Sequence, residues 1–133
     1  MECWDFLKTD YRIEQFIINL ELFYPKLYQW IKLPNVIIDT GYDGDLLIPY
    51  TDFNEAGFLS KFNYKKQSYQ AETITGATID LVSSFTKVKI SNKEIPVEIE
   101  SFKNSTEFIL GRGVLIKGKW IINGIEEKFC QLE

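Results

Sequence analysis

Val36-Ile37-Ile38-Asp39-Thr40-Gly41-Tyr42-Asp43-Gly44 carries an apolar run straight into an acid, a threonine and a glycine. Three apolar β-formers bounded by a turn signal predict a short buried strand. Asp and Gly at its end predict a tight turn that holds a carboxylate at the strand's tip. Taken alone, Asp39-Thr40-Gly41 also suits an ordinary strand-ending turn without chemistry. A calcium loop is a second rival, since Asp39, Asp43 and Asp45 are acidic and two glycines lie among them. That rival fails on ligands: its third position would be Gly41 and its twelfth Tyr50, where an EF-hand needs an oxygen donor and a glutamate.

The texture on both sides of this stretch is β. Upstream, Ile18, Leu20 and Leu22 alternate with Asn19 and Glu21, the period of a half-buried strand. A connector containing Pro25 and Pro34 is expected next, and residues 51–70 read as a loop with a helical turn. Further on, Thr73-Ile74-Thr75 and Ala77-Thr78-Ile79 flank Gly76, as in a hairpin whose tip needs a positive φ. Thr86, Val88 and Ile90 share one face of a later strand, and Ser91-Asn92-Lys93 turns into Ile95-Pro96-Val97-Glu98-Ile99. Trp120-Ile121-Ile122 and Ile125-Glu126-Glu127-Lys128-Phe129 bracket Asn123-Gly124, a strong two-residue hairpin signal. These elements predict one all-β domain over residues 1–133, built as a barrel or sandwich with at most one or two short helices.

Composition narrows the chemistry. The 133 residues are 45% hydrophobic and 26% charged, the balance of a soluble globular domain with a single core. A net charge of −4 without a dense Lys/Arg block gives no nucleic-acid surface. No apolar run approaches a membrane span, and the N-terminus lacks the order of a secretory signal, so a cytoplasmic protein is expected. There is no histidine, which excludes Ser-His or Cys-His nucleophilic catalysis and any His-bound metal. Cys3 and Cys130 stand at opposite ends without metal-ligand spacing and are expected to be free thiols, able to cross-link only if a dimer brought the termini together. No cofactor is indicated. If the chain is a hydrolase, carboxylates must do the work.

A third feature completes an ordered set: Phe108-Ile109-Leu110-Gly111-Arg112, with Val114-Leu115 just beyond. The apolar run into Asp-Thr-Gly, the central Gly76 hairpin and the apolar-Gly-Arg segment together resemble the retroviral-type (retropepsin-like) aspartic proteases, over roughly Val36 to Leu115. The resemblance implies an acid-protease-like closed barrel with a flap hairpin, active as a homodimer on peptide or protein substrates. Asp39, Thr40 and Gly41 would form the catalytic turn, with Thr40 bonding across the two-fold axis. Tyr42, Asp43 and Gly76 would lie against substrate, Gly76 at the flap's tip. Leu110 would pack beneath the catalytic loop, with Gly111 and Arg112 in support and Arg112 paired to Asp43. Arg112 as a solvated charge, and Gly76 as a plain hairpin residue, are the bland alternatives.

Two departures stand out. Retroviral enzymes usually have a small residue where this chain has Tyr42, although large residues there are familiar in microbial single-domain relatives. The hairpin around Asn123-Gly124 is longer than the single terminal strand of the viral enzymes. A non-catalytic dimerisation or peptide-binding module that keeps the fold is the rival function.

The implied chemistry is one of proton sharing. Two carboxylates about 3 Å apart cannot both ionise, so one acts as base on a water while the other protonates the carbonyl. One Asp-Thr-Gly per chain then requires an isologous pair of chains.

Overall fold

The structure, a computed structural model, describes residues 2–6, 16–58, 67–72, 76, 78–90 and 93–132. Among these the element order is β1 (Glu2–Asp5), β2 (Ile17–Tyr24), β3 (Gln29–Ile38), β4 (Leu46–Leu47), α1 (Tyr50–Glu55), β5 (Gln67–Glu72), β6 (Thr78–Ile90), β7 (Lys93–Ser101), β8 (Phe108–Leu110), α2 (Arg112–Leu115), β9 (Lys119–Asn123) and β10 (Lys128–Leu132). Seven strands form one sheet in the order β2-β3-β8-β4-β7-β6-β5, and an added β2–β6 pairing closes the first six into a barrel. β5 hangs outside on β6. A second sheet, β1-β10-β9, is built from the two ends of the chain.

The alternation read from the sequence places the core. Ile18, Leu20 and Leu22 of β2 are buried, as are Leu33, Val36 and Ile38 of β3 and Val88 and Ile90 of β6. Phe53 of α1 and Phe58 just beyond it are fully buried with ring centroids 5.2 Å apart. Each such ring removed from water stabilises the fold by about 1.5–3 kcal/mol. α1 and α2, of six and four residues, are the two short helices expected.

The connector expected between β2 and β3 is shorter than the prolines suggested. Pro25 does sit in the turn, but Pro34 lies inside β3. The ladder jumps from Ile18↔Val36 to Leu20↔Leu33, so Pro34 and Asn35 together oppose Asn19. A bulge of this kind tolerates proline's missing N–H, and Asn35 takes φ 54° there while its N–H donates to Asn19 Oδ1 at 3.4 Å.

Gly76 has φ 85° and joins β5 to β6, whose ladder runs from Glu72↔Thr78 to Gln67↔Ser83. The hairpin is therefore present; Thr73, Ile74, Thr75 and Ala77 lie outside the described residues. The terminal hairpin is also present, but Asn123-Gly124 is not a two-residue turn. Asn123 pairs with Lys128, leaving a four-residue connection, because the Asn123 side-chain oxygen accepts the N–H groups of Ile125 (3.1 Å) and Glu126 (2.9 Å). Among the described residues no helix is long and apolar enough to cross a membrane.

The terminal sheet packs on the barrel through aromatic rings. Phe129 is buried and stacks on Trp120 with centroids 5.0 Å apart, while Trp120 Nε1 donates to Leu115 O at 2.7 Å. Here one expectation is overturned. Cys3 and Cys130 are not free thiols; they form a disulfide within one chain, because β1 and β10 pair with these two residues directly opposite, Cα atoms 4.1 Å apart.

The bond closes a loop of 127 residues, nearly the whole chain. Closure this long restricts the unfolded chain strongly, so reduction should lower the unfolding free energy by roughly 2–5 kcal/mol. Urea unfolding with and without reductant measures this directly. Superimposable curves would contradict the assignment of Cys3–Cys130 as a structural cross-link.

Candidate active site

Asp39 is placed by a parallel pairing. β3 and β8 run side by side as Val36↔Phe108, Ile37↔Ile109 and Ile38↔Leu110. The Asp39 N–H donates to Leu110 O at 3.0 Å and extends that ladder by one bond. The chain then turns: Asp39 Oδ1 accepts the Gly41 N–H at 2.8 Å, and Asp39 O accepts the Tyr42 N–H at 3.2 Å. Asp39, Thr40 and Gly41 are all exposed. Leu110, fully buried, pairs with Ile38 just before the turn.

The loop after the turn is tied to α2 through backbone. Arg112 N–H donates to Tyr42 O (2.8 Å), Gly113 N–H to Gly44 O (3.0 Å) and Gly111 N–H to Asp45 O (2.9 Å). These contacts need glycines: a Cβ on Gly111 would run into the Tyr42 ring and Gly44 O, and one on Gly113 into Asp45 Oδ1. Backbone bonding replaces the side-chain brace expected here. Asp43 and Arg112 are both exposed and do not form the predicted ion pair. It is Asp45 that turns inward, where its Oδ2 accepts the Glu98 N–H at 2.8 Å.

Tyr42 also departs from expectation. Its ring does not stand free along a groove; it lies over Gly44 and Gly111, and its hydroxyl donates to Glu100 Oε1 on β7. Glu100 is only 6% exposed. Directly across the β6–β7 ladder is Ser83, also buried, its Oγ without a hydrogen-bond partner among the described residues.

Burial raises the Glu100 carboxyl above its ordinary value; the Tyr42 hydroxyl bond opposes this, and the neighbouring Asp43 and Asp45 charges add to it. Burial likewise raises the Tyr42 phenol, with the Glu100 bond and charge next in weight. Glu98 is raised by burial and then by Asp45. The phenol thus keeps its proton and serves as donor to a carboxyl in an acidic neighbourhood. Among the described residues no group of three His, Cys, Asp or Glu side chains could hold a metal ion.

Glu100, Asp45 and Gly113 carried no signal in the linear sequence. Alternation in Val97-Glu98-Ile99-Glu100 puts both acids on one face but does not say that the face is covered. Only the glycines at 44 and 111, which make room for a large ring, hinted that Tyr42 turns inward.

No family profile and no curated protein matches the sequence. Solved structures do match the fold. The EIAV protease complexed with the inhibitor HBY-793 superposes with a TM-score of 0.55 at 15% identity, covering 84% of this chain and 93% of that one. A retropepsin-like aspartic protease from Rickettsia conorii gives 0.57 at 17% identity, covering 96% and 86%. The fold is retropepsin-like. At such identities the likeness speaks to architecture, and the retropepsin-like barrel here carries Asp39 on an exposed turn at the end of β3.

The raised Glu100 gives a pH prediction with a definite sign. A carboxyl whose folded value lies above its unfolded value binds more protons when folded, so its stabilising contribution is complete below the unfolded value and is lost as pH rises through the folded one. Glu100→Gln keeps an acceptor for the Tyr42 hydroxyl but carries no charge. The variant should therefore gain stability relative to the parent as pH rises from the ordinary glutamate value of 4.5 towards neutrality. Thermal unfolding of both proteins across that range is the measurement, and parallel curves would contradict the account.

Proposed function

We propose that this chain is an aspartic endopeptidase that works as a homodimer, each copy supplying one Asp39 carboxylate. The observation that carries this reading is an Asp-Thr-Gly turn, exposed and backbone-anchored, at the tip of β3 in a retropepsin-like barrel. An exposed lone carboxylate activates water poorly. Facing its own copy across a two-fold axis, it joins a proton-sharing pair whose titration belongs to both.

In the first step the ionised member takes a proton from water, and that oxygen attacks the scissile carbonyl. The protonated member gives its proton to the carbonyl oxygen, so a neutral tetrahedral diol forms. Collapse of the diol returns a proton towards the leaving amine. Thr40 would link the two turns, and Gly41 would admit substrate backbone. Asp43 would meet the peptide from the loop, and Gly76 would close over it as the tip of the β5–β6 hairpin.

A dimer is favoured by what the chain leaves uncovered. Ile121, Ile122 and Leu132 on the terminal sheet are exposed, together with Ile116 after α2 and Ile125, which is 97% exposed. Exposed apolar side chains on and beside the terminal sheet suit a partner of the same kind. The Cys3–Cys130 disulfide fits an oxidising compartment better than the reducing cytosol, which speaks against the cytoplasmic location expected from the sequence.

Asp39→Asn preserves the acceptor for the Gly41 N–H and should fold normally. Cleavage of an unfolded protein at mildly acidic pH should nonetheless fall by ~10³-fold or more, as for other members of a concerted catalytic unit. Undiminished cleavage by the purified variant would refute the assignment. Binding of peptide by the parent protein without turnover would support the rival, a peptide-binding module.

A further inference from the structure

The Asp39 turn is anchored through its backbone, with the Asp39 N–H on Leu110 O, but its own side chains reach nothing outside the turn among the described residues. Asp39, Thr40 and Gly41 face solvent, and the Asp39 side chain is engaged only with the Gly41 N–H two residues away among the bonds described. The next residue along the chain is anchored on three sides. Tyr42 donates its N–H to Asp39 O, accepts the Arg112 N–H on its carbonyl and donates its hydroxyl to Glu100. It therefore joins the carboxylate-bearing turn to the start of α2 and to the C-terminal end of β7. Its ring fills the gap left by Gly44 and Gly111, where a Cβ on either glycine would displace it.

We propose that Tyr42 and Glu100 are a positioning pair that sets the orientation of Asp39 for catalysis. The inference rests on the aspartic-peptidase reading and deepens it. The phenol is long enough to reach a buried strand that the turn itself cannot touch. A carboxyl at 100 gives that hydroxyl an acceptor in a place where an apolar residue would leave it unpaired. Glu100 is itself a poor occupant of this site without the phenol, being buried and near Asp43 and Asp45. Each member thus makes the other tolerable. The consequence is directional: loosening the pair lets the Asp39 turn drift while the substrate-facing surface stays intact, and small displacements of a reacting group are costly.

The test compares full-length Tyr42→Phe, Glu100→Ala, Glu100→Gln and the double variant Tyr42→Phe/Glu100→Ala. In peptide cleavage the first two should lose about tenfold or more in kcat, with KM changed by less than about twofold. The double variant should be no worse than the poorer single, because both remove one interaction. Glu100→Gln should recover most of the loss, since its amide oxygen accepts the same hydroxyl. Unchanged kcat, a loss carried by KM, or additive losses would overturn the proposal.

A second readout does not need activity. Amide exchange at Arg112, whose N–H bonds to Tyr42 O, should quicken in Tyr42→Phe and Glu100→Ala and return towards the parent value in Glu100→Gln. Unaltered exchange would overturn the positioning role even in an active enzyme. A parent protein that cleaves nothing, yet shows this exchange pattern, would refute the peptidase reading and leave the mechanical coupling standing.

Discussion

The parallel pairing of β3 with β8 is the constraint on which the site depends. Parallel neighbours cannot be joined by a tight turn, so the chain must leave after Ile38, build most of the barrel and return at Phe108. That return sets Leu110 beside Ile38 and presents its carbonyl to the Asp39 N–H at 3.0 Å. The acid is then fixed at the end of a buried strand while its carboxylate faces outward. The glycines beyond Leu110 let α2 approach the same loop, and three backbone bonds seal the join. The order of the motifs along the chain is thus a consequence of sheet topology.

Around that join the structure places polar groups where an apolar filling would be simpler. Tyr42, Glu100, Asp45 and Ser83 meet under the loop rather than in the barrel core. Buried carboxylates in each other's company are individually unfavourable, and partners with good geometry are what make them tolerable. Their benefit is placement, because a hydrogen bond specifies direction where packing alone specifies only volume. The large residue after Asp-Thr-Gly is turned inward here, its ring against Gly44 and Gly111 and its hydroxyl on Glu100.

Much of this was legible in the residues, and the failures have physical causes. Alternation in Ile18-Asn19-Leu20-Glu21-Leu22 reported burial correctly because one face of that strand is solvated. The apolar run into Asp39, the Gly76 hairpin and Leu110-Gly111 were found because each depends on short-range rules. Pro34 misled because a bulge can absorb a proline inside a strand. Asn123-Gly124 misled because the asparagine side chain engages backbone N–H groups two and three residues ahead, lengthening the turn. The Asp43–Arg112 pair failed because charge complementarity in sequence does not say which acid points inward; Asp45 does. Cys3 and Cys130 could not be paired from the sequence, since their meeting depends on the register of β1 with β10.

The terminal sheet links fold to assembly. Here β1 is clipped to β10 of its own chain, so each copy arrives with its ends already folded together. Its exposed isoleucines and the exposed Asp39 turn on the barrel are the surfaces that the proposed dimer would use. The most direct test of this account is specific activity measured against chain concentration, with mass in solution tracked in parallel. The account predicts that activity per chain falls on dilution in step with the loss of dimer. A monomer that cleaves peptide with constant specific activity would contradict it.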